Sequence, residues 1–383
     1  MKLLVFAHVP PPHHGQSQMV QYLVDGLRGR PELGIELFHV DARLSEDLQD
    51  VGAPRGGKVF RLLRYCAQAF WLRWRHGVRT LYYIPSPPKR SSLARDWMVF
   101  ALLRPWFPRI VFHWEAAGLG EWLQTQARPW ERLLTRFLMG RPTLSIVLAE
   151  SNRRDAEVFG SRHTCVVNNA LDDPNPRFGQ EQAPGRHRRL ERLRAKGGEI
   201  RVLYLALCSR DKGILDALAA VELANAEGAT RSPAVQFHLT VAGAFPDLEV
   251  EREFRERIDR PGLRERVRHV GFLAGAAKTA AWREADLYLF PTYYANEGQP
   301  VSLIEAMAHG VTAVTTRWRG IPEMLPAGYP GLVEPRHPDI VAERLLFLAT
   351  SGEGLRLRAE FEARFALSRY VDGMAEALRS VEP

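Results

Sequence analysis

Short apolar runs alternate with longer amphipathic stretches along most of this 383-residue chain, and this alternation constrains the fold more than any other feature. A short apolar run bounded by turn residues predicts a buried strand, and a following amphipathic stretch predicts a helix. Strands that alternate with helices form parallel sheets, because each helix carries the chain back to start the next strand. The expected strands are 2–9, 35–40, 79–84, 109–114, 143–149 and 163–167 in the first half, and 200–207, 235–243, 267–272, 286–290 and 311–316 in the second.

These two groups of strands predict two domains, because one hydrophobic core seldom serves a chain of this length. Residues 174–198 are rich in Pro, Gly and Arg, a composition typical of a domain boundary. We therefore expect an α/β protein with two doubly wound, Rossmann-like domains facing across a cleft, and a hinge near 168–176. The expected parts are an N-terminal domain over 1–175, a linker over 176–198, a second domain over 199–355, and C-terminal helices over 356–383 that pack back on the first domain.

Charge and cysteine content narrow the classes of function without selecting one. The formal net charge of +8 suggests an anionic partner, and nucleotide diphosphates, nucleic acid and acidic lipid all qualify. Cys66, Cys165 and Cys208 lack any CxxC or Cys/His spacing, which disfavours a disulfide framework and a zinc site and indicates a reducing cytoplasm. The opening run MKLLVFAHVPPP is too short to span a membrane and is not followed by a cleavage site, so we expect a buried first strand.

The most informative segment begins at residue 285 and reads ADLYLFPTYYANEGQPVSLIEAMAHGVTAVTTRWRGIPEML. Its strand is expected to end at Pro291, and its helix to start around Pro300 and stop at Gly310, since Pro opens helices and Gly ends them. Backbone N–H groups around 299–302 then point out of a helix N-terminus, where the dipole favours a phosphate or a sugar oxygen.

Two glutamates frame that helix start. Glu297 and Glu305 lie one to two turns apart, so their carboxylates can hydrogen-bond opposite ends of one long polyhydroxylated ligand. The alternative is a pair of solvated glutamates beside a helix. Upstream, Lys212 and Gly213 open a helix after the strand 200–207, where an ammonium and free N–H groups converge on one anion.

These segments resemble the large "group 1" family of retaining GT-B glycosyltransferases, which includes bacterial polysaccharide and lipid mannosyl- and glucosyltransferases. The Glu-x7-Glu signature of that family stands here as Glu297 through Glu305, followed by EAMAHG and by RGIPEML, close to the family's GGIPE. The segments VLYLALCSRDKGILDAL, LTVAGAF, VRHVGFLAG and ADLYLFPT also resemble core segments of the family's donor domain. The resemblance covers most of 199–380 and implies transfer of a sugar from a nucleotide-diphosphate sugar to an acceptor.

The resemblance also implies roles for particular residues. Glu297 would hold hydroxyls of the donor sugar in the catalytic site, Glu305 the ribose hydroxyls, and Lys212 the donor diphosphate. The remaining donor-binding residues are Gly15, Arg210, Phe272, Gly298, Gln299, Pro300 and Val301.

Two positions of the donor site depart from the family pattern. Leu207 stands where many members carry an arginine, and Arg210 is either its substitute as a phosphate ligand or an exposed turn residue. Pro300 replaces the commoner glycine and removes one N–H donor, which narrows the options for sugar contacts.

A third departure lies at the end of the strand 109–114. The family commonly shows His-x-His there, with the second His near the reacting sugar, whereas this chain reads His113-Trp114-Glu115. We treat His113 and Glu115 as candidate catalytic residues. Glu115 has three open roles: stabilising or attacking an oxocarbenium-like centre, as carboxylates do in retaining glycosidases, positioning a hydroxyl, or marking an altered, impaired site.

Two features of the N-terminal domain have alternative interpretations. In HVPPPHHGQSQMV, Gly15 lies in a loop before a helix, and the resemblance implies that backbone approaches the donor phosphates there. His13 and His14 either contact acceptor or phosphate or, as we favour, are surface loop histidines. The stretch from Lys58 to Arg79 interleaves Arg with Phe, Leu and Trp at helical spacing. It predicts either a helix that lies on anionic membrane or a packed helix with solvated arginines.

Together these features predict a retaining glycosyltransferase that uses no cofactor and no metal, since no DxD pair lies where a donor metal needs it. The expected partners are a nucleotide-sugar donor and a saccharide or lipid-linked acceptor, with no nucleic acid, while peripheral contact with the inner face of an anionic membrane stays open as an alternative. The alternatives are a GT-B epimerase or nucleotide-sugar hydrolase that uses Glu115, and a catalytically silent membrane-surface protein.

Overall fold

The structure is a computed structural model that describes residues 1–11, 15–43 and 56–382, and it divides into two compact units. Unit 1 comprises Met1–Ala170, Asn296–Gln299 and the C-terminal segment from Leu367, and unit 2 comprises Leu171–Ala295 and Pro300–Ala366. The division after Ala170 falls inside the segment 168–176 in which we expected the hinge.

Unit 1 is built on a parallel sheet of six strands in the order β2-β1-β3-β4-β5-β6. The strands are β1 (Lys2–Phe6), β2 (Glu36–Val40), β3 (Thr80–Tyr83), β4 (Arg109–Trp114), β5 (Leu144–Val147) and β6 (His163–Val166). Every residue of β3 and β5 is buried, because helices cover both faces of the sheet. All six strands overlap the predicted ranges, although β1 ends three residues before the predicted end at 9.

Six helices precede the division in the described part of unit 1. They are α1 (Gly15–Arg28), α2 (Gly56–His76), α3 (Arg90–Leu103), α4 (Leu119–Thr125), α5 (Pro129–Met139) and α6 (Arg153–Val158). Apolar side chains of α2, α3 and α4 form one core with the sheet, and those of α1 form a second core with it. The two cores lie on opposite faces, as a doubly wound fold requires.

Unit 2 repeats this design with strands in the order β12-β11-β10-β7-β8-β9, all parallel. The strands are β7 (Gly198–Leu205), β8 (Val235–Ala242), β9 (Val267–Gly271), β10 (Leu287–Phe290), β11 (Thr312–Thr316) and β12 (Leu332–Val333). The first five confirm the predicted strands to within two residues. The strand β12 was not predicted, because two residues carry no periodic signal.

The helices of unit 2 are α7 (Phe178–Glu181), α8 (Ala183–Lys196), α9 (Ile214–Gly228), α10 (Leu248–Ile258), α11 (Gly275–Glu284), α12 (Val301–Ala308), α13 (Ile321–Met324), α14 (Pro338–Leu348) and α15 (Gly354–Glu360). Helix α12 follows Pro300 and ends before Gly310, as predicted. The two parallel six-stranded sheets confirm the predicted α/β fold class.

The linker predicted over 176–198 is instead helical and belongs to unit 2. Its arginines are structural ligands rather than solvated linker residues. Arg186 on α8 donates to the carbonyl oxygens of Trp282 and Ala285, and Arg189 forms a bidentate pair with Asp286 at 2.6 and 2.7 Å. These bonds tie α8 to the end of α11, so a composition typical of a boundary here encodes a docked helix.

The predicted C-terminal return to the first domain starts at Leu367 rather than at 356. Helix α15 and the turn after it stay in unit 2, because Leu357, Phe361 and Phe365 are buried in its core. The last helix, α16 (Leu367–Arg379), buries Tyr370 and Met374 with α1 in unit 1. Within the described ranges, no helix combines the length and the apolar character needed to cross a membrane.

Candidate functional site

The carboxyl end of β7 leads through a tight turn into α9, and this turn carries Lys212. At Gly213 the backbone φ is +78°, and a Cβ there would lie 2.2 Å from the carbonyl oxygen of Pro291, so only glycine fits. The Lys212 ammonium lies 4.5 Å from the ring centre of Tyr294 and 5.6 Å from that of Phe290. These aromatic faces hold a positive charge beside the N-terminus of α9, which has no side-chain cap. An anion at this place meets both the ammonium and the helix dipole.

Arginines surround the first turn of α9. Arg210 is exposed, and its guanidinium pairs with Glu253 of α10 at 2.7 Å. Arg336, which the sequence did not single out, lies 4.5 Å from the ring centre of Tyr293. Both arginines act on the carboxyl of Asp216 in that first turn, although burial outweighs them and raises its pKa. Arg210 is therefore already engaged, while Arg336 adds positive charge that no motif signalled.

The carboxylate of Glu305 is buried on α12 and held by two side chains of α11. Lys278 donates to one carboxylate oxygen at 2.6 Å, and the indole N–H of Trp282 donates to the other at 3.1 Å. A carboxylate offers about four acceptor positions, so Glu305 retains capacity for ribose hydroxyls. Lys278 and Trp282 were missed, although their spacing of four residues places them on one helix face.

The other predicted donor-binding residues of unit 2 differ in burial. Phe272 follows β9 and is 68% exposed. Pro300 is buried as the N-cap residue of α12, with φ at −65°, and Val301 begins the helix half-buried. Pro300 thus fits the helix start despite its missing N–H, because its ring favours this φ.

The segment Asn296–Gln299 belongs to unit 1, and the side chain of Gln299 fixes it there. The amide oxygen of Gln299 accepts from the backbone N–H of Asn169 at 2.8 Å. Its amide nitrogen donates to the carbonyl oxygen of Leu148 at 2.6 Å and to the side chain of Asn168 at 2.7 Å. Gln299 is therefore occupied in anchoring the loop, and its side chain has little capacity left for a sugar.

This anchoring brings the loop against the carboxyl end of β4. A Cβ on Gly298 would lie 2.5 Å from the carbonyl oxygen of Glu115, so glycine is required by close approach of two backbones. Glu297, the preceding residue, is buried. Unit 1 therefore brings the loop residues Glu297 and Gly298 to the backbone of Glu115, which lies far from them in the sequence.

Glu115 is a neutral carboxylic acid at pH 7 in this environment. Its side chain is 5% exposed. Burial raises the pKa of Glu115 to about 8, against the opposing effect of a hydrogen bond with the side chain of Asn169. Burial raises the pKa values of Tyr82 and Tyr370, and both lie close enough to Glu115 that its carboxylate form raises them further.

His113, two residues before Glu115, is also uncharged at pH 7. Burial lowers the pKa of His113 to about 3, and its Nδ1 lies 2.5 Å from the hydroxyl oxygen of Tyr82. Nδ1 of His113 and Oε1 of Glu115 lie 3.6 Å apart, but because both groups are uncharged this contact is not a salt bridge. Tyr82 was missed, although it precedes the last residue of the neighbouring strand β3.

Three polar atoms of this cluster are buried without a hydrogen-bond partner among the described residues, namely Nε2 of His113, Oε1 of Glu115 and Oδ1 of Asn169. Because Tyr82 is protonated, its hydroxyl can donate to Nδ1, which places the imidazole hydrogen on Nε2. Buried polar atoms are nearly always paired, so unpaired ones at the end of a parallel strand mark a place suited to a polar ligand.

Gly15 is exposed and is the first residue of α1 rather than part of the preceding loop. This position leaves its backbone N–H at the start of a helix. His13 and His14 lie outside the described residues.

Solved GT-B glycosyltransferases share this fold over nearly the whole chain. HepE (Alr3699) of Anabaena, solved in complex with UDP-glucose, superposes with a TM-score of 0.66 at 17% identity and covers 99% of each chain. Sucrose-phosphate synthase from Thermosynechococcus elongatus gives a TM-score of 0.69 at 18% identity, with 100% of this chain and 99% of that chain covered. The two units thus define a protein of the GT-B fold.

Residues 199–351, all within unit 2 except Asn296–Gln299, match the family model described as Glycosyl transferases group 1. The chain is 30% identical over 149 residues to WcaL of Salmonella typhimurium, named for colanic acid biosynthesis, covering 38% of this chain and 34% of the relative. It is 28% identical over 176 residues to the amylovoran biosynthesis glycosyltransferase AmsK of Erwinia amylovora, covering 43% and 41%. The matched part spans about two-fifths or less of these relatives' lengths.

Proposed function

We propose that this protein transfers a sugar from a nucleotide-diphosphate sugar to a hydroxyl of a saccharide or lipid-linked acceptor, with retention of configuration and without a metal ion. The observation that carries the proposal is the ammonium of Lys212, held beside the N-terminus of α9 within the part that matches the family. HepE was solved with UDP-glucose, and AmsK is named for amylovoran biosynthesis, which supports the classes of donor and acceptor.

In this proposal the donor contacts several parts of the molecule. Lys212 binds the diphosphate first, because Arg210 must leave Glu253 before it can contribute. Glu305 accepts hydrogen bonds from the ribose hydroxyls while Lys278 and Trp282 hold its orientation. The remaining donor-binding roles go to Gly15, Phe272, Glu297, Gly298, Gln299, Pro300 and Val301, with Gln299 contributing through its backbone.

The transfer step breaks the bond between the anomeric carbon and the diphosphate oxygen and forms a bond from the same carbon to the acceptor oxygen. The acceptor attacks on the face from which the diphosphate leaves, and its proton passes to the leaving diphosphate. Lys212 and the dipole of α9 stabilise the negative charge that grows on the diphosphate. Charge fixed in advance of the reaction is the main source of rate enhancement in such a site.

Glu115 acts in this proposal as a hydrogen-bond donor to a sugar or acceptor hydroxyl, and not as a nucleophile. A neutral carboxylic acid is a poor nucleophile, and its pKa of about 8 keeps it protonated at pH 7. The acid thereby offers the O–H donor that a histidine at this position offers as N–H. The alternative epimerase or hydrolase that uses an ionised Glu115 is less compatible with this burial.

We place the enzyme in the cytoplasm, because Cys66, Cys165 and Cys208 are free thiols, as proteins of a reducing compartment have. Burial raises the pKa of the Cys66 thiol to about 12, which keeps it unreactive.

The test is an acceptor-dependent transfer assay with UDP-, GDP-, ADP- and TDP-hexoses, run with and without EDTA. We expect one nucleotide series to give a product whose anomeric configuration, read from its proton NMR coupling constant, matches that of the donor. The rate should be unchanged by EDTA. An inverted product would refute retention, and a strict requirement for magnesium or manganese would refute the metal-free mechanism.

A further inference from the structure

Three neighbouring helices of unit 1 expose apolar side chains to solvent in addition to those that they bury. Helix α2 packs against α3, and α3 packs against α5. These helices and the turn after α3 carry all the large, exposed apolar side chains found in the described part of unit 1. This set, here called the aromatic face, consists of Val59, Phe60, Leu63, Phe70, Trp71, Trp74, Met98, Leu102, Trp106, Trp130, Leu133 and Phe137.

Core packing does not account for the aromatic face. On α2 the exposed Phe60, Leu63 and Trp74 share one side of the helix, whereas Leu62 and Cys66 face the core. One apolar stripe is enough to dock a helix on a sheet, so the second stripe of α2 serves another purpose. On α5, Phe137 is 78% exposed.

Ring contacts join α2 to the turn after α3, and α3 to α5. The ring of Trp106 lies 5.2 Å from that of Phe70 and 6.1 Å from that of Trp74, so the turn after α3 continues the stripe of α2. Trp97 on α3 and Trp130 on α5 lie 5.6 Å apart. An exposed apolar surface of this extent marks an interaction site.

The segment that carries the aromatic face is strongly basic. Residues 56–140 contain fourteen Lys and Arg and four Asp and Glu, so the net charge of this segment, +10, exceeds the +8 of the whole chain. Asp96 and Glu131, the acids on α3 and α5, are buried and paired with Arg95 and Arg90. Helix α2 contains no acid at all. The charged side chains of α2, the helix with the most exposed aromatic rings, are therefore all basic.

We propose that the aromatic face docks on the surface of an anionic lipid bilayer. Tryptophan and phenylalanine enter the boundary between headgroups and acyl chains, while arginines bind the phosphates, as in helices that lie in the membrane surface. A second copy of this chain fits less well, because a two-fold contact would bring two arginine-rich surfaces together without acids to pair them. The inference does not depend on the proposed catalysis, since it requires neither donor nor acceptor.

The test is co-flotation of the full chain with vesicles of neutral phosphatidylcholine and with vesicles that also contain phosphatidylglycerol. We expect binding only to the anionic vesicles, weakened at high salt. The double variant Arg64→Glu, Arg75→Glu should bind at least roughly 30-fold more weakly, because each arginine near such a surface contributes about fivefold and the new glutamates are repelled. The double variant Trp71→Ser, Phe137→Ser should lose at least about tenfold.

Matched controls come from unit 2. Phe347, 60% exposed on α14, and Arg252, exposed on α10, permit Phe347→Ser and Arg252→Glu, which should bind vesicles like the wild type. Equal binding of all variants would overturn the proposal, as would no preference for anionic vesicles. The proposal would also be overturned if the wild type did not bind vesicles and light scattering showed that it is a dimer that Trp71→Ser, Phe137→Ser dissociates. That result would assign the aromatic face to self-association. Normal transfer by a non-binding variant would separate this inference from the catalytic proposal.

Discussion

The substitution Glu115→Gln tests whether this buried side chain works as a neutral acid. Glutamine keeps the shape and one carbonyl acceptor of the protonated acid but cannot ionise. In the folded protein the pKa of Glu115 is raised to about 8, above the value near 4.5 expected when the chain unfolds. Because the folded protein holds this proton more tightly than the unfolded chain, the proton contributes to the free energy of unfolding. This contribution is complete below the pKa of the unfolded chain and is lost as the pH rises through the pKa of the folded protein.

The expected magnitude is about 1.4 kcal/mol per pH unit, or about 2 kcal/mol between pH 6.5 and 9. This window avoids most of the opposite contribution of His113 and His309, whose pKa values burial lowers to about 3. Below pH 6.5 these histidines are protonated in the unfolded chain but neutral in the folded protein. They therefore make the free energy of unfolding rise with pH, opposite to the effect of Glu115. The measurement is urea unfolding of wild type and Glu115→Gln at several pH values, with the difference between the two proteins isolating Glu115.

The transfer rate gives a second readout of the same variant. We expect the wild-type rate to fall above pH 8, because Glu115 then loses the proton with which it donates a hydrogen bond. Glu115→Gln should retain a partial rate that varies less with pH. If both proteins show the same dependence of stability on pH, the side chain ionises in the ordinary range and our reasoning fails. Complete loss of transfer in a folded, donor-binding Glu115→Gln protein would instead assign a nucleophilic carboxylate.

Three further substitutions test the placement of the donor residues. Glu305→Ala should weaken donor binding by about 1.5–3 kcal/mol in calorimetry, because the ribose loses a charged acceptor; unchanged affinity would remove Glu305 from the site. Lys278→Met, which leaves that carboxylate in place, should cost less. Gly298→Ala should destabilise the protein by about 1–3 kcal/mol in urea unfolding, because the new Cβ would lie 2.5 Å from the Glu115 carbonyl oxygen. Its control is Gly57→Ala, where a Cβ meets nothing within 4 Å, and equal effects would contradict the crowding argument.

The periodicity of the sequence was sufficient for the strands and for the two sheets. Eleven strands were predictable because each is a short apolar run between turn residues, whereas β12 has only two residues. Helix α8 was not predictable, because its arginines look like a solvated linker until Arg189 meets Asp286, 97 residues further along the chain. A local pattern cannot distinguish a solvated arginine from one paired at that distance.

The sequence was sufficient to identify residues of the candidate site, but not their protonation states or the hydrogen bonds that orient them. The motif identified Glu115, yet its neutral state depends on burial beside Tyr82 and Tyr370, and Tyr370 comes from the last helix. The motif likewise identified Glu305 but not the bonds from Lys278 and Trp282 that fix its carboxylate. Protonation and orientation follow from tertiary packing, which no short motif encodes.

Isothermal calorimetry of wild type and Lys212→Ala tests the central claim most directly, with each protein titrated with the preferred nucleotide-diphosphate sugar and with the corresponding bare nucleoside. Only the diphosphate can use the ammonium beside α9, and a hydrogen bond to a charged group contributes about 1.5–3 kcal/mol. We predict that Lys212→Ala weakens binding of the nucleotide-diphosphate sugar by about 10- to 100-fold and leaves the nucleoside affinity unchanged. Equal losses for both ligands, or wild-type protein that binds none of the nucleotide-diphosphate sugars, would contradict the assignment of a donor site at Lys212.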